Sequence, residues 1–347
     1  SACSSPEAPT PPPVDPYPDG PTAICPAAPG PTTSPSGQPI SVNYGTATAT
    51  GGAPPVTLSC SPASGSLFSV GSTTVTCTAV DTRQRTNACT FAVVIAQPPK
   101  ILSTRFIAYG DSITWGEDGQ TSLAFGMPGQ IRPTFQVPLP ETYPGALQSE
   151  LVQRYTTQTP GVFNDGHPGE LASASGTPLL FSSQVTSSGQ YDVVLLMEGS
   201  NDVNERDSNV EAAAIANLGA MLKDARSRGI RPYLATIPPM VPGLQRSLGA
   251  ALVPDFNDQI RGLAASLGVT LVDVYSALNT APTQYIGFDG LHPNTDGYAK
   301  IADTFFQSLK ATLEVTPPQT TASPALRPTM RATPPRGSPG SPPLRRR

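Results

Sequence analysis

From Ile101 to about Lys310, short apolar runs alternate with stretches whose apolar residues recur at helical spacing. That alternation predicts a parallel α/β domain. Ser103–Tyr109 reads as the first strand, and Gly161-Val-Phe-Asn164 ends a short second one. Tyr191–Met197 (YDVVLLM) is apolar nearly throughout, as a central strand buried on both faces should be. Ile230–Ile237 is the next strand, closed by Pro238-Pro239, and Val269–Val274 is the last. Between them Tyr143–Tyr155, Val210–Arg228 and Val253–Leu267 have helical spacing, the latter two stopped by Gly229 and Gly268. Pro293–Leu309 is the closing helix. Glu117–Pro140, rich in Gly and Pro, is too irregular for a helix and is expected to drape over the sheet edge or a site.

Upstream the period changes. Ile40–Tyr44, Val56–Cys60, Thr73–Val80 and Thr90–Ile95 are short, β-branched and partly alternating, with Gly and Pro between them, which predicts a small β-sandwich over 21–97. Ile24-Cys25-Pro26, the run CSPASGSLFSVGSTTVTCTAVD over Cys60–Asp81, and Asn87-Ala-Cys89-Thr-Phe91 resemble the HYR (hyalin repeat) module, an immunoglobulin-like domain. One departure is Asp81-Thr-Arg-Gln-Arg-Thr, where that family tends to have a DxxGN turn. Residues 1–20 read as a Pro-rich leader, Gln97-Pro-Pro-Lys100 as a stiff hinge, 98–312 as the α/β domain and 313–347 as a disordered Pro/Arg-rich tail.

The formal charge of -4 is unevenly spread. Arg327, Arg331, Arg336, Arg345, Arg346 and Arg347 lie beyond residue 315 with no acid among them, so the body is more acidic than the whole, which argues against a nucleic-acid partner. The five cysteines are Cys3, Cys25, Cys60, Cys77 and Cys89. They form no CxxC pair and have no histidine nearby, which argues against zinc; their clustering points to disulfides and an oxidising compartment. Two disulfides are expected among Cys25, Cys60, Cys77 and Cys89, with all three pairings open. Ser1-Ala2-Cys3 resembles the end of a bacterial lipoprotein processing site, which implies a lipidated Cys3 as the sole membrane attachment of a secreted or cell-envelope protein. The alternative for Cys3 is a free thiol in a flexible leader.

Candidate chemistry begins where the first strand breaks. In RFIAYGDSITW (Arg105–Trp115), Gly110 and Asp111 place Ser112 on a tight strand-to-helix turn, at the carboxyl end of the sheet where open α/β proteins keep their sites. Of the two histidines, His292 lies three residues after Asp289 in a loop before the final helix. There Asp289 can accept from one ring nitrogen while the other faces Ser112, the roles of a Ser-His-Asp triad. The plain alternative is a loop or cap histidine. His167, in Gly166-His-Pro-Gly169, reads as a loop residue near the site. Asn164–Glu170 and Gly199-Ser-Asn201-Asp202 end two further strands at the same edge, and a glycine amide, the Asn201 side chain and the Ser112 amide could hold a developing oxyanion. Taken singly, Gly169 could be a turn and Asn201 or Asp202 a helix cap.

Jointly these segments resemble the SGNH, or GDSL, hydrolase superfamily over about 210 residues. Gly110-Asp111-Ser112 matches its nucleophile block, Asn164–Glu170 its second block with Gly169 as the oxyanion glycine, Gly199-Ser-Asn201-Asp202 its GxND block with Asn201 as the oxyanion asparagine, and Asp289-Gly-Leu-His292 its DxxH block. The resemblance implies a flavodoxin-like three-layer αβα sandwich with a five-stranded parallel sheet. It implies Ser112, His292 and Asp289 as catalytic, and Ser112, Gly169 and Asn201 as the oxyanion hole, with no metal or other cofactor. Asp111, Gly199 and Asp202 are expected to be structural. The implied reaction is hydrolysis of a small carboxylic ester through an acyl-enzyme. Trp115, Phe125, Met127 and Phe135 suit a modest apolar pocket and short acyl chains. Alternatives are an acetyl-sugar or xylan deacetylase acting on acetylated polysaccharide, a lysophospholipase or thioesterase, and a surface-binding protein with an inactive hydrolase domain.

Overall fold

A computed structural model describes residues 14–119, 135–186 and 190–315. They form two compact units, a smaller one of residues 14–32 and 39–95 and a larger one of 33–38 and 96–315.

The larger unit is built on five parallel strands: β1 (Arg105–Gly110), β2 (Gly161–Gly166), β3 (Val193–Met197), β4 (Arg231–Ala235) and β5 (Thr270–Val272), in the order β2-β1-β3-β4-β5. This is the flavodoxin-like order. All five residues of β3 are buried, as its unbroken apolar run requires. The chain steps one way from β1 to β2 and the other way thereafter, so right-handed crossovers put α2 (Tyr143–Arg154) on one face of the sheet. They put α3 (Thr177–Val185), α5 (Ser208–Ser227) and α6 (Val253–Leu267) on the other, and α9 (Thr295–Leu313) packs beside α2. The three-layer expectation is borne out.

Register sets the height of the site. Gly110 pairs with Gly166 on one side and with Met197 on the other, so β1, β2 and β3 end level. The loops that leave them start from one line.

Several boundaries differ from the sequence reading, each for a local reason. The second strand runs on to Gly166 because it pairs with β1 along its whole length. The last stops at Val272 because the Asp273 carboxylate accepts from the Ser276 amide and starts α7 (Val274–Leu278). The final helix starts after Pro293, at an Asn294 cap that accepts from Gly297 N. It continues to Leu313, and Glu314–Val315 then pairs with Lys100–Ile101 while the Glu314 carboxylate holds Arg154 and Tyr155. Residues 313–315 are therefore ordered structure, not the start of a disordered tail; the rest of the tail, Cys3, Phe125 and Met127 lie outside the described residues. Among the described residues no helix is long and apolar enough to cross a membrane.

The smaller unit is all β. Thr57–Ser61, Gly71–Val80 and Thr86–Ala96 form an antiparallel meander, Pro21–Ile24 pairs with Thr48–Gly51, and Ile40–Ser41 with Leu67–Phe68. Of the expected strand over Ile40–Tyr44 only the first two residues pair. Val42, Phe68, Val75, Val93 and Ile95 are its core. The cysteines pair Cys25–Cys89 and Cys60–Cys77. In the departing turn Gln84 sits at φ 61, the left-handed conformation that the family's glycine adopts freely. The turn is held by the buried Asp81 carboxylate, which accepts from the amides of Ala53, Arg83 and Arg85 and from the Arg85 side chain.

Candidate active site

The strand-to-helix turn after β1 works because residue 110 has no side chain. A Cβ there would lie 2.1 Å from the Met197 carbonyl oxygen and 2.2 Å from Thr114 Oγ1. Asp111 then caps α1 (Ser112–Trp115), its Oδ1 accepting from Ile113 N at 2.9 Å, and Gly116 ends the helix at φ 98. Burial pushes the Asp111 carboxyl up to about 6. Ser112 is thus the first residue of a one-turn helix, where the backbone amide has no intrahelical acceptor. Its Oγ lies 2.8 Å from His292 Nε2.

The loop before α9 is folded around Asp289. Oδ1 accepts from Leu291 N and His292 N, both at 2.9 Å, and Oδ2 lies 2.5 Å from His292 Nδ1. A carboxylate only accepts, so the ring nitrogen facing Asp289, Nδ1, carries a hydrogen. Burial pushes the Asp289 carboxyl up, but the hydrogen bond and charge of His292 with the two backbone amides outweigh it and hold it below the usual range. Asp289 and His292 are both fully buried.

The loops after β2 and β3 are tied to each other. His167 N donates to the Gly110 carbonyl at 2.8 Å, which pins the second loop to the turn that carries Ser112. Gly169 adopts φ 81, and among the described residues its amide has no acceptor. Asn201, in α4 (Ser200–Glu205), donates from Nδ2 to the Glu170 carbonyl at 2.8 Å, so it is not a cap; the α4 cap is Gly199. The buried Asp202 carboxylate accepts from Ala172 N at 2.9 Å and Ser173 N at 2.8 Å, clamping α4 to the second loop. Ser112, His292 and Asp289 therefore form one hydrogen-bonded chain, and Gly169 and Asn201 meet through Glu170 on loops level with it. His167 stands apart, half-exposed, its Nε2 3.4 Å from Asp165 Oδ1, and the hydrogen bond to Asp165 raises its proton affinity.

The model of the GDSL-like lipase/acylhydrolase family matches residues 108–300, more than half of the chain and all four loops. The chain belongs to that family. The HYR domain model matches residues 15–95. Similar solved structures include Est24, a carbohydrate acetylesterase from Sinorhizobium meliloti (16% identity, TM-score 0.48, covering 59% of this chain and 98% of that one). Others are the M. smegmatis aryl esterase (16% identity, TM-score 0.48, 61% and 100%) and a lipase/acylhydrolase from Enterococcus faecalis (20% identity, TM-score 0.48, 60% and 97%). No curated protein sequence matches the chain.

Three charged groups of this GDSL domain escaped the sequence reading. Glu117, buried just after α1, places Oε2 3.4 Å from His292 Nε2. Arg246, in the long connection after β4, pairs with Glu117 Oε1, and its Nη1 lies 3.5 Å from His292 Nδ1 and 4.0 Å from Asp289 Oδ2. The only sequence signal was Glu117's closeness to the nucleophile block; Arg246 carried none. Glu198 is fully buried at the end of β3, and among the described residues neither of its oxygens has a hydrogen-bond partner. Burial, reinforced by Asp111, Glu170 and Asp202, pushes it well above the usual carboxylate range. Among the described residues the one group of three side chains close enough to share a metal ion is Cys25, Cys77 and Cys89, and all three are in disulfides.

Proposed function

We propose that this GDSL domain is a serine carboxylic ester hydrolase that works through an acyl-enzyme. The observation that supports it most is the buried chain Ser112 Oγ–His292 Nε2 at 2.8 Å and His292 Nδ1–Asp289 Oδ2 at 2.5 Å. In this reading Ser112 Oγ attacks the ester carbonyl carbon while its proton passes to His292 Nε2. The carbonyl π pair becomes an oxyanion, held by the amides of Ser112 and Gly169 and the Asn201 side chain. Each such donor contributes about 10²–10³ in kcat. The tetrahedral intermediate collapses, the alcohol leaves with the proton from His292, and water repeats the steps on the acyl-enzyme. Asp289 orients the ring throughout.

For the substrate we infer a short-chain acyl ester, acetylated sugars included, with the half-buried Trp115 beside the nucleophile turn as part of a modest apolar wall. Two disulfides support a location outside the reducing cytosol. Ser112→Ala is expected to abolish turnover of p-nitrophenyl acetate while the fold survives; equal activity in the variant would refute the assignment and leave the binding-protein reading. A chain-length series of p-nitrophenyl esters run beside acetylated xylan discriminates short-chain esterase from sugar deacetylase and from lysophospholipase.

A further inference from the structure

The imidazole of His292 has carboxylates at both nitrogens, which a Ser-His-Asp chain alone does not require. Asp289 holds Nδ1, and Glu117 Oε2 stands 3.4 Å from Nε2, the nitrogen that exchanges the proton with Ser112. Glu117 is fixed there: it is buried, its backbone carbonyl accepts from Tyr298 Oη at 2.6 Å, and its Oε1 is paired with Arg246. Arg246 is fixed in turn, its amide donating to the Asp289 carbonyl at 2.8 Å.

We propose that Glu117 and Arg246 are positioning residues that act as a compensating ion pair, setting the pH at which His292 becomes a free base and steering its Nε2 proton to Ser112 rather than to Glu117. The inference rests on the triad reading above. A carboxylate alone at Nε2 favours the imidazolium, because it attracts the Nε2–H. A resting imidazolium has no lone pair for the Ser112 proton, and when the first tetrahedral intermediate collapses the same carboxylate would compete with the leaving alkoxide for that proton. The Arg246 guanidinium opposes this twice. It occupies Glu117 Oε1, and it puts a positive charge 3.5 Å from Nδ1, which disfavours the imidazolium. Among the described residues, the other groups seen at the ring are Asp289 on its own loop, and Ser112 and the buried Asp111 on the Ser112 turn; the Tyr298 hydroxyl from α9 is spent on the Glu117 carbonyl. Of the described groups named here, Arg246 is the one with a positive charge.

The test is the pH dependence of kcat/KM on p-nitrophenyl acetate for the full chain. Opposite charges within 4–6 Å move a titration by about one to three units. Glu117→Gln leaves Arg246 uncompensated and is expected to move the acid limb about one unit to lower pH, and Arg246→Gln to move it about one unit to higher pH. The double variant is expected to return close to the wild-type limb, and Arg246→Lys, which keeps the charge, to stay near it. Fluorescence of the single tryptophan, Trp115, reports whether each variant is folded. Should Arg246→Gln not fold, Glu117→Gln and Arg246→Lys still decide, since only the first is to shift. Unmoved limbs in folded variants, or movement in the same direction for both single variants, would overturn the proposal. If Ser112→Ala keeps its turnover, the triad reading itself fails; if it is inactive and the limbs are unmoved, only this inference fails.

Discussion

Asp289→Asn separates the orienting role of this carboxylate from its bulk, because the two side chains have the same shape. An amide has one accepting oxygen, whereas the Asp289 carboxylate accepts at both: Leu291 N and His292 N on Oδ1, His292 Nδ1 on Oδ2. If the amide oxygen keeps the backbone pair, its NH2 faces Nδ1. The imidazole must then place its hydrogen on Nε2, and the lone pair that takes the Ser112 proton in the proposed mechanism is gone. If the amide turns over, two buried backbone donors lose their acceptor, at about 1–3 kcal/mol each, roughly 2–6 kcal/mol together. The first orientation is therefore the stable one, and the variant is held in the wrong tautomer. The same exchange in a serine protease triad lowers kcat by about 10⁴, which at about 1.4 kcal/mol per decade is ~5 kcal/mol of transition-state stabilisation. A loss of that order is expected here in kcat on p-nitrophenyl acetate, with Trp115 fluorescence confirming a folded domain. A folded variant within about tenfold of wild type would refute the orienting role, since the tautomer argument requires several decades. Stability gives a second readout. The Asp289 carboxyl is held below its ordinary range, so its contribution is present above the unfolded-state value near about pH 4 and is lost as pH falls through the folded one. The stability gap between wild type and variant is expected to shrink below about pH 4.

Two further substitutions probe the frame behind the site. Gly199→Ala puts a Cβ 2.6 Å from the buried Phe256 ring at a backbone φ of 122. Strain of about 1–3 kcal/mol and overpacking of about 1–3 kcal/mol are expected to lower the melting temperature and, because Gly199 caps the helix that carries Asn201, the turnover; an unchanged melting temperature would contradict the packing. Glu198 has its proton affinity raised by burial, so the folded state binds the proton more tightly than the unfolded chain, and stability falls as pH rises from the ordinary carboxylate range towards the folded value. Glu198→Gln is expected to flatten that fall in Trp115-detected melts taken above the ordinary carboxylate range, whereas parallel wild-type and variant curves would show that Glu198 carries no such penalty.

The sequence by itself determined whatever depends on near neighbours or on unbroken pattern. The apolar run of β3 had to be a central strand, Gly229 and Gly268 had to stop helices, and four short blocks in order marked the family, because each is a local preference repeated often enough to leave one reading. Asp289 and His292 were legible as a pair because three residues of a single loop join them. Short helices such as Thr177–Val185 and Ser200–Glu205 were not legible, since so few turns show little period and are stabilised mainly by what they pack against. Other features were decided by tertiary structure alone. The cysteine pairing is one of these: strand register sets Cys77 opposite both Cys60 and Cys89, and the approach of Cys25 to Cys89 leaves Cys77 to Cys60. Arg246 reaches Glu117 across 129 positions of chain, and the level ends of β1, β2 and β3 bring Ser112, Gly169 and Asn201 to one edge. Such contacts depend on where the sheet and its crossovers carry the backbone, and no stretch of residues read along the chain contains that distance.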